Sequence, residues 1–308
     1  MTTLRIGTRG SPLALWQAHH VAAILHSAAP NVAIEFVEIQ TVGDLVRDVP
    51  LVQLGGDGAF TKAIQQALLE RRVDVAVHSL KDLPTFAVDG LTLAAVPKRG
   101  PVGDALVSPK HRAFVELPQG ATLATSSLRR KAQVQFTRPD LKLVDIRGNV
   151  ETRLRKMFEQ DLDGIILAHA GLVRLDLAKQ ITEILDSTWM YPAVGQGALG
   201  LECRTDDVTT RALIEPLNDM PTRWSVLGER AMLRGLGGGC QVPIGALSQI
   251  DAGTLTLRGV VLPPDGTTRV EAAVAGPMEQ AETLGQSLAA DLFRRGAEAL
   301  LKPTAGGV

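Results

Sequence analysis

The stretch ATLATSSLRRKAQVQFTRPDLKLVDIRGNVETRLRKMFEQDLDGIILAH, residues 121–169, decides the fold. Three short β-type runs (ATLATSS, LKLVDI and DGIILAH) alternate in it with two helical patterns, one from about 127 and one from Asn149. Strands that alternate with helices argue for parallel sheets covered on both faces. The same rhythm runs through the preceding residues. LRIGT (4–8) reads as a buried strand and SPLALWQAHHVAAILHSA (11–28) as a helix. Ser11 is its candidate N-cap, Pro12 sits in the first turn, and Leu13, Trp16, Ala23 and Ile24 fall near one face. NVAIEFVEIQ (31–40), VDVAVHSL (73–80), LTLAAVP (91–97) and DALVSP (104–109) read as strands, and FTKAIQQALLERR (60–72) as a helix. KRGPVG, between the last two strands, is a candidate hinge. TVGDLVRDVPLVQLGGDG (41–58) has no clean period and ends in glycines, which marks a long functional loop.

After about residue 220 the character changes. One helix, TRWSVLGERAMLRGL (222–236), precedes GGGCQVPIG (237–245). Strand-like runs follow near 242–249, 254–262 and 268–275, then an amphipathic helix over about 279–295. The expected fold is α/β: two similar α/β lobes with a ligand cleft at their boundary, plus a smaller C-terminal α+β domain. The expected domains are 1–97 with 198–216, then 98–197, then 217–308.

Composition narrows the functional classes. Of the 308 residues, 45% are hydrophobic and 21% charged, which is ordinary for a globular protein. A net charge of −1 gives no global field to attract nucleic acid or a membrane surface, so anion recognition must come from local clusters. Arg5 and Arg9 interrupt the start, which therefore lacks the apolar core of a signal peptide, and no apolar run reaches about 18 residues. The two cysteines, Cys203 and Cys240, form no CxxC pattern, and no HExxH occurs, so no metal site is expected. A cytoplasmic enzyme with reduced thiols is the reading these features favour.

The local clusters sit where strands give way to helices. Residues 125–155 hold eight Lys and Arg against three Asp and Glu. Thr125, Ser126 and Ser127 follow a strand and open a helix, where backbone N–H groups and the helix dipole favour anions. Arg147 ends another strand. Arg129, Arg130 and Arg147 therefore read as donors to a ligand with several acidic groups, while Lys131, Arg138, Lys142 and Arg155 read as a solvated face. Arg9 and Ser11 repeat the arrangement on the first strand-to-helix turn. In HSLKDLP (78–84), Lys81 and Asp82 follow a strand; neighbouring cations would hold a buried Asp82 ionised, and a helix N-cap or turn aspartate is its bland alternative. His78 reads as a packed strand residue. GQGALG (195–200) has the letters of a dinucleotide fingerprint, but no strand plainly leads into it and no acidic ribose partner is placed. Its glycines read instead as close backbone approach or a crossover.

Seven segments occur in one order along nearly the whole chain: RIGTRGSPLALWQA, VAVHSLKDLP, ATSSLRR, DIRGNVETRLRK, GIILAHAGLVRL, AVGQGALGLECR and GGGCQVPIG. Together they resemble the porphobilinogen deaminases, or hydroxymethylbilane synthases. The resemblance implies two lobes like those of type II periplasmic binding proteins. It also implies joining of four porphobilinogen molecules into a linear tetrapyrrole with release of ammonia, by a monomer. It further implies a dipyrromethane cofactor bound by a thioether to Cys240, with Lys81, Ser127, Arg129 and Arg130 holding its acid groups. Asp82 matches the family's catalytic aspartate. Arg9, Ser11, Thr125, Ser126, Arg147 and Arg153 match substrate-side positions, and so do Arg174 and Gln196. Cys203 matches no functional position and reads as core. Three positions depart from the family's usual residues: Val42, Asp57 and Gly237. Two competing readings are a two-lobe solute-binding protein and a dinucleotide-dependent oxidoreductase. The first leaves a solitary cysteine in a glycine loop unexplained.

Overall fold

The computed structural model describes residues 3–41, 58, 61–238 and 243–301. Val42, Asp57 and Cys240 lie outside the described residues. Along the chain, β1 (Thr3–Thr8) leads into α1 (Pro12–Ala28), followed by β2 (Ala33–Glu38), α2 (Lys62–Leu69), β3 (Val75–Ser79) and β4 (Leu91–Ala95). Next come β5 (Asp104–Val107), β6 (Thr122–Ala124), α3 (Leu128–Thr137), β7 (Lys142–Val144), α4 (Val150–Glu159), β8 (Gly164–Ala168), α5 (His169–Arg174) and β9 (Glu183–Ile184). Then β10 (Leu199–Arg204), α6 (Val208–Ile214) and α7 (Met220–Gly235) precede a hairpin pair, β11 (Ile244–Asp251), β12 (Thr254–Val261) and β13 (Val270–Pro277). The helices α8 (Ala281–Arg294) and α9 (Ala297–Leu301) complete the described chain.

These elements divide into two compact units: Met1–Val102 with His169–Lys179 and Gly195–Arg223, and Gly103–Ala168 with Gln180–Val194 and Trp224–Val308. The first unit carries one sheet in the order β2-β1-β3-β10-β4. β1 pairs in parallel with β2 and β3, while β10 runs antiparallel between β3 and β4. The second unit carries the order β7-β6-β8-β5-β9, with β5 antiparallel to both its neighbours. The expectation of parallel sheets is therefore corrected to mixed ones. In each sheet a single strand, β10 or β5, is fed by an irregular connection instead of a helical crossover, and so it can enter in the opposite direction. The C-terminal three-stranded sheet is an antiparallel meander, β11-β12-β13, backed by α8.

Local sequence explains the helix starts. Ser11 caps α1 by accepting from Ala14 N, with Pro12 at the first helical position. Ser127 accepts from Arg130 N at the head of α3, and Asn149 accepts from Thr152 N at the head of α4. The buried stripe of α1 is Gln17, Ala18, Val21 and Leu25, not the expected Leu13, Trp16, Ala23 and Ile24. The apolar set that includes Trp16 misled the reading because Trp16 does not face the sheet. It stacks on His20 at 4.9 Å and lies under the Arg174 guanidinium. The core beneath α1 joins Leu4, Ile6, Val75, Val77, Leu199, Leu201 and Cys203. α7 stops at a glycine: Gly237 has φ +66° and its N–H donates to Arg234 O, while Gly238 N–H reaches Leu233 O. That is the C-terminal motif in which a left-handed residue closes the last turn, so the departure at Gly237 has a local structural explanation.

Candidate functional site

In the first unit the site residues cluster at strand ends. β1 delivers Arg9 and Ser11, both half-buried, to the turn into α1. Thr8 braces that turn by donating from Oγ1 to Ala14 O at 3.1 Å. β3 ends in Ser79, which shares a 2.8 Å hydrogen bond with Gln17 Nε2 of α1. The chain then closes a 3-10 turn over Leu80–Asp82, which presents Lys81 and Asp82 as half-buried side chains. Asp82 does not cap a longer helix; it is the last residue of the 3-10 turn, as the turn-aspartate reading has it.

This turn rests on the AVGQGALG segment. Leu80 N–H donates to Ala198 O at 3.0 Å. A Cβ at Gly195 would meet Leu80 C and Lys81 N at 3.3 Å, and one at Gly200 would meet Leu80 Cδ1 at 2.7 Å. The glycines thus permit the close backbone approach expected of them. Gln196 is buried (1% exposed); its Nε2 donates to Val102 O at 2.8 Å, and its carbonyl accepts from Arg99 Nε at 2.7 Å. Gly197 O accepts from Gly100 N at 3.0 Å and from Arg174 Nη2 at 2.7 Å. Residues 98–102 and 195–197 therefore lie side by side, pinned by polar contacts. Burial pushes the Arg174 guanidinium down to about 10. Burial, with Arg174 adding to it, also lowers His20. In this structure Arg174 holds the crossover backbone.

In the second unit β6 leads directly into Thr125, whose N–H donates to Val144 O at 2.9 Å. Ser126 Oγ accepts from Ile146 N at 2.9 Å and donates to Ile146 O at 2.8 Å, tying the ends of β6 and β7 together. Arg147 follows directly and is half-buried, and Arg153 on α4 donates from Nε to Gly148 O at 2.8 Å. The helix α3 opens on Ser127 with its first basic pair turned inward. Arg130 holds Asp104 Oδ1 through Nε and Nη2, at 3.1 and 2.7 Å, and Ile166 O through Nη1 at 2.9 Å. Arg129 Nη1 lies 2.7 Å from Asp104 Oδ2 and also donates to Tyr191 O.

Two buried guanidiniums thus share one fully buried carboxylate. Burial alone would raise Asp104, but the charges of Arg129 and Arg130 outweigh it and hold the carboxyl far below the usual carboxylate range. Burial lowers Arg129, with Asp104 opposing. Arg129 Nε is buried and has no hydrogen-bond partner. A positive charge in excess and an unused donor at the head of a helix fit a carboxylated ligand, such as the acid side chains of a dipyrromethane. The other basic residues are satisfied locally: Lys131 by Asp145 at 2.9 Å, Arg138 by Asp140 at 2.7 Å and Arg155 by Glu159, while Lys142 is exposed.

Sequence reasoning missed the carboxylate that organises this pair. An aspartate opening the otherwise apolar strand DALV was the available signal. It also missed Gln17 and the buried Glu202, whose Oε2 lies 3.2 Å from His78 Nε2. His78 itself is packed in its strand as expected, and Cys203 is fully buried with its thiol pushed up to about 11 by that burial. Among the described residues, no group of three or more His, Cys, Asp and Glu could hold a metal ion.

Comparison with known proteins agrees with this chemistry. Among solved structures, an ABC transporter periplasmic substrate-binding protein from Coxiella burnetii overlaps with a TM-score of 0.44 at 15% identity, covering 74% of this chain and 96% of that one. A likeness at that level carries no argument about ligand or activity. Residues 4–212 match the family model described as "Porphobilinogen deaminase, dipyromethane cofactor binding domain", and 224–294 match "Porphobilinogen deaminase, C-terminal domain". The porphobilinogen deaminase of Syntrophotalea carbinolica is 51% identical over 97% of this chain and 95% of its own length. That of Geobacter metallireducens is 49% identical over 97% and 93%. The chain belongs to the porphobilinogen deaminase family.

Proposed function

We infer that this chain is a transferase that condenses four porphobilinogen units head to tail, releases ammonia at each addition, and frees hydroxymethylbilane by hydrolysis. Family membership over 4–212 and 224–294 is the observation that carries this reading. When bound, the dipyrromethane supplies the pyrrole carbon at which the chain of substrate units starts. Cys240 is the residue proposed to hold it by a thioether. Lys81, Ser127, Arg129 and Arg130 are proposed to hold its acetate and propionate groups, and the buried cationic excess beside Asp104 supports that assignment.

Asp82 is proposed as the catalytic group. Loss of ammonia from porphobilinogen leaves an electron-poor cation, and carbon–carbon bond formation puts positive charge near pyrrole nitrogen. A carboxylate on a fixed 3-10 turn can accept those N–H groups, stabilise the charge as it develops and help move protons. Arg9, Arg147 and Arg153, with Ser11, Thr125 and Ser126, are proposed to receive the substrate's acid groups. Arg174 and Gln196 complete the set; their contacts within the crossover favour a role in fixing that backbone. The division into domains at 1–97 with 198–216, 98–197 and 217–308 belongs to the same proposal, as do a cytoplasmic monomer and a lack of nucleic-acid partners. No helix among the described residues is long and apolar enough to cross a membrane. Incubation of the purified protein with porphobilinogen tests the reading. Consumption of substrate with matching release of ammonia is expected, and retention of unchanged porphobilinogen would contradict it.

A further inference from the structure

The strand that leads into the Asp82 turn packs against buried polar groups that the proposed reaction does not use. Glu202 of β10 is 5% exposed, His78 of β3 is 4% exposed and Gln65 of α2 is 5% exposed. Gln65 Nε2 lies 3.1 Å from each Glu202 oxygen, and His78 Nε2 lies 3.2 Å from Oε2. A carboxylate inside a sheet-and-helix layer is expensive to desolvate, and apolar residues of similar size would pack there at no such penalty. The β10–β4 ladder also changes register between Leu201 and Glu202, where β4 contributes an extra residue. Bulges of this kind re-aim a side chain and are common beside active sites.

Within this cluster His78 lies four residues before Asp82 on the same segment. β10 pairs with β3 from Cys203↔Val75 to Leu199↔Ser79, and the next backbone contact, Leu80 N–H to Ala198 O, belongs to the 3-10 turn itself. Rotation or slippage of β3 against β10 would therefore move Asp82 directly. Apolar packing tolerates small shifts, whereas a carboxylate that accepts from the Gln65 amide at both oxygens is fixed in distance and direction, and it lies 3.2 Å from a His78 Nε2 that is buried with no hydrogen-bond partner of its own. We propose that Glu202, acting through His78 and with Gln65 bracing it from α2, is a positioning residue for Asp82. This rests on the assignment of Asp82 as the catalytic carboxylate.

The test compares His78→Phe, which keeps a ring but loses the polar contact, with His78→Gln, which keeps a donor. In steady-state assays with porphobilinogen, His78→Phe is expected to lower kcat about ten-fold, a fraction of the ~100-fold loss that a 1 Å misplacement brings. KM should stay within about two-fold and the intact mass should match that of wild type apart from the substitution, while His78→Gln should keep kcat within about three-fold. In an Asp82→Glu background, where the carboxylate is already displaced, His78→Phe should add less than about three-fold, because both changes act on one group. If His78→Phe does not fold, Gln65→Met supplies the same comparison from the α2 side. Equal kcat in the Phe and Gln variants, or losses that multiply fully with Asp82→Glu, would overturn the positioning role. Wild-type protein that leaves porphobilinogen untouched would instead overturn the activity on which it rests.

Discussion

Asp104 is the residue with the most at stake structurally. It is fully buried and is the shared partner of Arg129 and Arg130. Replacing it with asparagine leaves both guanidiniums without their counter-charge, and breaking a buried pair in this way costs about 3–5 kcal/mol. Chemical denaturation of Asp104→Asn against wild type should show a loss of that order, and a change under about 1 kcal/mol would mean the pair is replaceable. The pH dependence follows from the sign of the shift. A depressed folded-state pKa contributes stability that is present above the unfolded value of about 3.9 and is lost as pH falls through the folded value. Asp104 therefore supports the fold across neutral and mildly acidic pH and fails only in strong acid. A stability profile in which wild type and Asp104→Asn differ equally at pH 7 and 5 is expected. Asp82 is the complementary case: it is half-buried on a short 3-10 turn, so its loss should fall on chemistry. Asp82→Asn should cut turnover by about 10²–10³, the range for one lost electrostatic stabiliser, with thermal stability nearly unchanged. Near-normal turnover in that variant would remove Asp82 from the mechanism.

At the scale of elements, the crossover between residues 98–102 and 195–197 is the feature least tolerant of change. Gly197 has φ +82°, and a Cβ there would fall 2.7 Å from both Gly100 O and Pro101 O. Gly253, in the turn between β11 and β12, has φ +79° but no heavy atom within 4 Å of a built Cβ. The left-handed backbone alone costs an alanine about 1–2 kcal/mol, so Gly253→Ala should lose that much. Gly197→Ala adds overlap with backbone that cannot swing aside, and should lose about 3 kcal/mol or more. Thermal melts of the two variants check this, and equal shifts would mean the crossover can open to admit a side chain. Most elements were legible because their signals are local: capping serines and asparagine, periodic apolar residues, and glycines bounding strands. Strand direction was not legible. β5 and β10 look like any buried strand in sequence, and their antiparallel entry is set by where the irregular segments before them lead. The short helices α5 and α6 carried too few residues for a period to show.

For the whole molecule, the cationic character of the site was readable from strand-end placement, but its internal balance was not. Asp104 lies far from Arg129 and Arg130 in sequence, and Glu202 lies farther still from His78 and Gln65, so no window along the chain brings either group together. What unites the account is one proposed covalent attachment. The proposed attachment of a dipyrromethane at Cys240 would account for a chain with two cysteines that buries Cys203 in its core and has the other in a glycine-rich segment. The direct measurement is the intact mass of the denatured, purified protein, taken for wild type, Cys240→Ser and Cys203→Ser. The account predicts a mass above the bare polypeptide by one dipyrromethane in wild type and Cys203→Ser, and its loss in Cys240→Ser. A bare polypeptide mass for active wild-type protein, or an adduct that survives in Cys240→Ser, would contradict it.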